Sequence, residues 1–405
     1  MLDLQEIRKQ PKKVQIAFDK RGQTISVNEI LTIDQEKLKL QTDLQELRQK
    51  KNQLSKDISN LKKQKQEVSK QLEEVSGLKE QIKQLEQLFI EKDHELNEIL
   101  IQLPNVVDED VSTENEVLYS YKEKTYADKG HIELCKEYQL IDYQLGSDLI
   151  GTGYWIYKGM GAKLEWALLN FFLKENQLAG YEMVMLPPVA KGLCGYGAGQ
   201  FPKFKKEVYH IQDEDQFLIP TAETLLVNFH QNEILKSNEL PLKYTAYTPC
   251  FRREVSKHPD EKGMIRGHNF NKVEMVQFTT QENSDKAFNE LLAQAESLMK
   301  KLDLHYRVVK CAASECSASM ARTYDIEVWF PKEQIYKEVS SVSNARTYQS
   351  RRSNSRYKDE KGKIHYIHTL NASGLATSRL FAALIEQNQQ EDGSIKIPKV
   401  LEPFM

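Results

Sequence analysis

Three arginines, an aromatic ring and a pair of carboxylates carry the chemistry most readable in this 405-residue chain. Phe251-Arg252-Arg253-Glu254 closes one strand-like run, and Gly263-Met264-Ile265-Arg266 leads into another, His268-Asn269-Phe270-Asn271-Lys272-Val273-Glu274. The polar loop between them contains Pro259, Asp260 and Gly263, residues that break strands. Arg252 and Arg266 therefore stand at the facing ends of two strands. Arg379 follows Ser373-Gly374-Leu375-Ala376 at the start of a helix-like run, and the glycine there permits close approach of a ligand or of backbone. A guanidinium keeps its charge and offers phosphate a planar fork. With Phe270 and Glu274 beside them, the cations suit a nucleotide triphosphate and an ammonium-bearing partner. Any one of these arginines alone is more at home in a surface ion pair. Their joint occurrence is what argues for a site.

Two further groups are weaker by themselves. In Tyr336-Lys337-Glu338-Val339-Ser340-Ser341, the Glu338 carboxylate and Ser341 hydroxyl are hard oxygen donors suited to Mg²⁺ bridging phosphates, although such a pair is usually a turn or a cap. In Ile219-Pro220-Thr221-Ala222-Glu223-Thr224, Thr221 and Glu223 read equally as a helix cap with a first-turn acid and as the wall of a pocket for a small amino acid. His268, His365 and His368 are given no metal role. No P-loop and no G-x-G-x-x-G opening a helix is present, so a nucleotide would lie on a sheet.

The elements that must position these groups differ along the chain. Residues 28–103 hold one glycine and no proline, and their apolar positions Leu40, Leu44, Leu47, Leu54, Ile58 and Leu61 step alternately by four and three, with Lys51 as the gap. Leu78, Ile82, Leu85, Phe89, Leu96, Ile99 and Leu103 repeat the pattern with Lys92 as the gap, and Pro104 ends it. This is a coiled-coil seam. Val68, Leu72 and Val75 nearly bridge the series, and the phase slips between Val75 and Leu78. One long dimerising helix and an antiparallel hairpin both fit. Charge favours the hairpin slightly, because the first half is basic (Lys37, Arg48, Lys50, Lys62, Lys63, Lys65) and the second acidic (Glu74, Glu86, Asp93, Glu95). The lysines serve either as a solvated face or as a surface that tracks a nucleic-acid backbone without reading sequence.

After Pro104 the pattern becomes α+β. Helical periodicity marks 161–174 and 284–302, a strand and proline pair mark 181–188, and a helix starts near Leu225. Strand-like runs recur at 243–251, 272–279, 307–309, 325–330 and 364–369. Strands outnumber crossover helices, which predicts a sheet dominated by antiparallel pairs. Hydrophobic content of 40%, charged content of 28% and a net charge of −3 describe an ordinary soluble protein, long enough for two domains. No apolar run could span a bilayer, and the N-terminus is not a leader peptide. Five scattered cysteines without a C-x-x-C pair indicate buried thiols in a reducing cytosol, not a disulfide framework or zinc site.

Taken together, these motifs resemble the bacterial-type seryl-tRNA synthetases, a family of class II aminoacyl-tRNA synthetases, over essentially the whole length. The opening Met1-Leu2-Asp3-Leu4 with Lys20-Arg21-Gly22, the coiled coil, 181–188 as motif 1, Gly199-Gln200-Phe201-Pro202-Lys203-Phe204, Thr221-Ala222-Glu223, 251–274 as motif 2, 337–344, and Asn371-Ala372-Ser373-Gly374-Leu375-Ala376-Thr377-Ser378-Arg379 as motif 3 carry the likeness. The resemblance implies an antiparallel tRNA-binding arm over 1–105 and a class II antiparallel-sheet catalytic domain over 106–405. It implies a cytoplasmic homodimer using ATP, Mg²⁺, L-serine and tRNA(Ser), with tRNA(Sec) as a candidate second acceptor. Catalysis would fall to Arg252 on the α-phosphate and to Arg266 and Arg379 on the terminal phosphates. Arg253, Glu254, Phe270, Glu338, Val339, Ser340 and Ser341 would complete the ATP site, with Mg²⁺ on Glu338 and Ser341. Thr221, Ala222, Glu223, Arg252, Glu274, Asn371 and Ser373 would surround serine. The chain departs from the family pattern at Arg253-Glu254-Val255-Ser256, at Ala313-Ser314-Glu315-Cys316-Ser317 and at Ile132. Two rivals remain: a paralogue passing serine to an acceptor other than tRNA, and a non-enzymatic RNA-binding scaffold.

Overall fold

The computed structural model describes residues 1–254 and 263–405, so Val255, Ser256, Pro259 and Asp260 lie outside the described residues. The chain divides into two compact units, Leu2–Asp19 with Gln23–Leu103, and Met1, Lys20–Gly22 and Pro104–Met405.

In the first unit, the Ser26 hydroxyl caps a helix by accepting the Glu29 N–H at 3.4 Å. That helix, α1 (Val27–Lys63), runs 37 residues without a glycine or proline. It stops where Lys65 adopts a left-handed φ of 58° and the Gln66 N–H returns to the Leu61 carbonyl at 3.0 Å. The chain then turns back as α2 (Ser69–Gln102). The hairpin is therefore the arrangement formed, and its turn is at 64–68. The phase slip seen in sequence at Val75 and Leu78 is not the turn, since both are buried within α2. Leu44 and Ile58 of α1 and Val75, Leu78, Ile82, Leu96 and Leu100 of α2 form the seam. Basic α1 meets acidic α2 in the pairs Lys37–Asp93 (2.6 Å), Arg48–Glu86 (2.6 Å) and Lys50–Glu74 (3.0 Å). Lys92, a gap in the repeat, reverses the pattern by pairing with Glu36 at 2.9 Å. Exposed pairs contribute roughly 0.3–0.5 kcal/mol each. A buried Leu or Ile contributes about 1.5–3 kcal/mol, so the seam holds the hairpin and the charges select its register.

The second unit is built on eight strands: β1 (Glu116–Tyr121), β2 (Glu182–Met183), β3 (Leu242–Phe251), β4 (Asn269–Thr279), β5 (Tyr306–Lys310), β6 (Arg322–Phe330), β7 (Ile335–Arg346) and β8 (His368–Ala376). Their spatial order is β1-β5-β6-β7-β8-β4-β3-β2. Every neighbouring pair is antiparallel except β2 with β3. Helices α3 (Gly159–Leu178), α5 (Ser284–Lys301) and α6 (Thr377–Gln387) cover one face, with α4 (Glu223–Leu226) elsewhere. Leu164 and Phe171 of α3, Phe288 and Leu298 of α5, and Phe381 and Leu384 of α6 share a core with Val273, Met275, Ile326, Val342 and Ala372 of the sheet. The two-residue period of a strand then sends Phe270, Lys272 and Glu274, and Asn371 and Ser373, to the opposite face.

Three sequence expectations are corrected. The strand of 181–188 is only the two residues of β2, and the helix expected from Leu225 is the single turn α4. The run 364–369 splits between Ile364–Tyr366, in a separate three-stranded sheet, and the start of β8. No described helix is long and apolar enough to cross a membrane.

Candidate active site

The open face of β4 and β3 forms the floor. Register places Phe270 opposite Cys250, Lys272 opposite Thr248 and Glu274 opposite Ala246. The Arg252 N–H donates to the His268 carbonyl at 2.9 Å, which carries the pairing one residue past β3. The Arg252 guanidinium then lies over the Phe270 ring, 5.0 Å from its centroid. This flat cation–aromatic pair suits a planar base and its phosphate chain. Arg253 goes elsewhere: its N–H donates to the Glu207 carbonyl at 2.9 Å and its Nη1 to the Lys206 carbonyl at 3.2 Å.

Arg379 joins the segment leading into Arg266 to β7. Arg379 Nε donates to the carbonyl of Ile265, the residue before Arg266, at 2.9 Å, and its Nη1 donates to the Glu338 carbonyl at 3.0 Å. The Glu338 carboxylate lies 3.8 Å from the same Nη1. Arg266 Nε pairs with Glu254 Oε2 at 2.6 Å, so Glu254 occupies part of the fork that a phosphate would take. Gly267 is required beside it, because a Cβ there would lie 2.2 Å from the Trp155 ring.

Glu338 and Ser341 are three apart, a spacing that puts residues on opposite faces of a regular strand. The pairing of β6 with β7 shifts between Ile326 and Glu327, leaving Val339 as an extra residue. Val339 turns into the core, and the Ser340 hydroxyl donates to the Ser373 carbonyl at 2.6 Å. Of these two residues only main chain is left for a ligand. The bulge resets the alternation and brings Glu338 and Ser341 to a common face. Asp325 stands opposite Ser341 in register, and its Oδ1 is buried without a partner. Burial, and then the Glu338 charge, push the Asp325 carboxyl well above the usual carboxylate range. Asp325, Glu338 and Ser341 offer hard oxygens, one of them unpartnered, and these suit a divalent cation such as Mg²⁺.

The third group is a small polar pocket. Thr221 Oγ1 donates to Glu274 Oε2 at 2.9 Å and accepts the Glu223 N–H at 3.3 Å, which places it at the pocket wall; the cap reading is corrected, since the N-cap of α4 is Ala222 with no side-chain cap bond. Lys272 Nζ forms an ion pair with Glu274. Gln349 Nε2 donates to Glu223 Oε1 at 2.7 Å, while Gln349 Oε1 accepts from Thr369 Oγ1 at 2.6 Å. Burial, followed by the nearby Glu274 charge, pushes the Glu223 carboxyl up to about 7, against the pull of Lys272, Gln349 and Arg252. Burial also raises Glu274, opposed by Lys272, Thr221 and Arg252. Arg252 acts on both acids, so the phosphate-suited floor and the acidic pocket are neighbours. Ser373 stands opposite Glu274 in register, and Asn371 Nδ2 is buried without a partner. The Ala222 side chain is fully buried in an apolar cluster.

Lys272, Asp325 and Gln349 were not among the residues expected from sequence. Lys272 carried a legible signal, a lysine two residues before Glu274 on one strand face. Ala313, Cys316 and Ser317, in the segment that departs from the family pattern, accept through their carbonyls from the buried Arg21 guanidinium.

An antiparallel sheet that offers arginines and a hard-oxygen cluster to a nucleotide is the architecture of class II aminoacyl-tRNA synthetases. Residues 204–388 match the tRNA synthetase class II core domain (G, H, P, S and T), and residues 1–107 match the seryl-tRNA synthetase N-terminal domain. The chain is 48% identical to serine–tRNA ligase 2 of Clostridium acetobutylicum, covering 100% of this chain and 99% of the relative. It is 41% identical to serine–tRNA ligase of Chlamydia felis, covering 100% and 98%. The chain belongs to the seryl-tRNA synthetase family. Its fold superposes on the seryl-tRNA synthetase of Pyrococcus horikoshii solved with ATP at a TM-score of 0.96 and 30% identity, covering 100% of this chain and 98% of that one.

Proposed function

We propose that this chain is a serine–tRNA ligase that activates L-serine with ATP and transfers the seryl group to the 3′ end of tRNA(Ser). The observation that carries the reading is the adjacency of the Arg252–Phe270 floor to the Thr221–Glu223–Lys272–Glu274 pocket, because the reaction must join an amino acid to the α-phosphate. A serine carboxylate oxygen attacks the α-phosphorus in line, the bond to the β-phosphate oxygen breaks, and pyrophosphate leaves. A terminal ribose hydroxyl of tRNA then attacks the seryl carbonyl, and AMP leaves.

The protein's part is positioning and charge stabilisation. Arg252 holds the α-phosphate, and Phe270 stacks on adenine with Glu254 beside it once phosphate takes Arg266. Arg266 and Arg379 hold the terminal phosphates, with the main chain of Val339 and Ser340 alongside. Mg²⁺ at Glu338 and Ser341 would neutralise phosphate charge. Glu223 and Glu274 attract the serine ammonium. Thr221, Asn371 and Ser373 offer hydrogen bonds to its polar groups. Unpaired polar groups would reject alanine by about 10⁴ or more.

Exposed Lys62, Lys63 and Lys65 at the end of α1 support an arm that tracks the backbone of tRNA(Ser). Met185 (89% exposed), Leu178 (72%) and Trp166 (53%) form apolar surface suited to a second copy of the chain. Free cysteines, four of the five buried, accord with a cytoplasmic enzyme. The test compares serine charging of tRNA with seryl-adenylate formation. The proposal expects both. Adenylate alone would mean a different acceptor, and neither would mean a scaffold.

A further inference from the structure

We propose that Glu165 is a positioning residue for ATP, a buried carboxyl beneath the nucleotide floor that ties the strand carrying Phe270 to the helix carrying Arg379. The proposal rests on the functional reading above.

Glu165 lies on α3 and is 4% exposed, among Leu164, Ala167, Leu168 and Phe172 in the layer that packs under the sheet. An ionisable group in an apolar layer costs free energy that leucine would not, so its presence calls for a use. Glu165 Oε1 accepts from two elements of the nucleotide site, and the Tyr157 hydroxyl also acts on the carboxyl. Asn271 Nδ2 donates to Glu165 Oε1 at 2.8 Å, and Thr377 Oγ1 donates to the same oxygen. Asn271 stands between Phe270 and Lys272 on β4, and Thr377 stands two residues before Arg379 on α6. Strand alternation sends Asn271 below the floor and Phe270 above it, so a tilt of one moves the other. The junction is tightened from two sides. Thr377 Oγ1 lies 3.1 Å from the Asn271 carbonyl, and the Tyr247 hydroxyl donates to Asn271 Oδ1 at 3.0 Å. One carboxylate oxygen on α3 therefore fixes the spacing between the adenine platform and the arginine that holds terminal phosphates. Glu165 touches no ligand, and it acts through Asn271 and Thr377. Burial pushes its carboxyl up to about 7, against the pull of Thr377, Asn271 and Tyr157, and a protonated carboxyl still has the acceptor oxygen that the junction needs.

Glu165→Leu removes the acceptor of Asn271 Nδ2 and leaves the Thr377 hydroxyl only the Asn271 carbonyl, so α3 no longer holds the junction. In serine-dependent ATP–pyrophosphate exchange it should raise KM for ATP about tenfold while KM for serine stays within about twofold. Glu165→Gln keeps the acceptor oxygen and should restore KM for ATP to within about twofold of the wild type. Asn271→Ala should raise KM for ATP alone, and combining it with Glu165→Leu should add little, because the two act through one contact. Calorimetry of ATP binding to the full chain separates the two levels of the argument. No ATP binding by the wild type would sink the functional reading. Wild-type binding with an unchanged KM for ATP in Glu165→Leu, or equal losses for ATP and serine, would overturn the role of Glu165. If Glu165→Leu does not fold, Thr377→Val decides. A rise of about threefold in KM for ATP supports the junction, and no change overturns it.

Discussion

Lys272 holds the electrostatic balance of the amino-acid pocket. Two buried acids, Glu223 and Glu274, would both resist ionisation without a cation, and Lys272 opposes the upward shift of each. The balance is incomplete at Glu223, which titrates near 7 and is neutral below that. Protonation removes the charge that attracts the serine ammonium, so the effect appears as pH falls. The kcat/KM for serine should fall about tenfold between pH 8 and pH 6, since that ratio reports groups of the free enzyme. Glu223→Gln should have low activity and lose this slope, and an unchanged slope would assign the titration to another group. Arg379→Ala should reduce exchange by about 10² or more with the melting temperature preserved. Normal exchange in that variant would remove Arg379 from the site. The strand that carries Glu338, β7, was not among the strand-like runs of the sequence; Arg252 and Glu274, flanked by such runs, were readable, and Glu338 was readable through the family likeness. Asp325 and Gln349 were not. Asp325 matters only because register sets it opposite Ser341, and Gln349 only because its short helix carries it to Glu223.

At the scale of elements, the sequence carried periodicity well and interruptions poorly. The seam of the arm was plain in its steps of four and three, yet the turn at 64–68 contains neither glycine nor proline. Lys65 makes the reversal by entering the left-handed region, a conformation its side chain does not announce. The bulge at Val339 is likewise invisible in composition, although it decides whether Glu338 and Ser341 can share a ligand. Insertion of one residue between Ile326 and Glu327 should give Val339 a partner, restore regular alternation, turn Glu338 away from Ser341 and abolish Mg²⁺-dependent exchange. Retained exchange with a folded protein would show that the bulge is dispensable. The arm has its own prediction. Charge reversal of Lys62, Lys63 and Lys65 should weaken tRNA charging at least about tenfold at moderate salt and leave exchange unchanged. Equal loss of both would mean that these lysines support the fold and not RNA binding.

For the whole molecule, the long N-terminal helices and the antiparallel sheet were legible because a proline-free, glycine-poor helical stretch gives way abruptly to short alternating strands. The proposed dimer rests on the family likeness, and 181–188 supplies little strand and much exposed apolar surface. Met185→Glu should shift the dimer expected of the wild type toward monomer in light scattering at micromolar concentration, and an unaltered mass would place the contact elsewhere. In the proposed mechanism, one sheet face joins an acidic amino-acid pocket to an arginine-lined triphosphate site. Amino-acid-dependent ATP–pyrophosphate exchange tests it most directly. Exchange should require L-serine and Mg²⁺ and be negligible with alanine or threonine; no exchange with serine, or equal exchange with alanine, would contradict it.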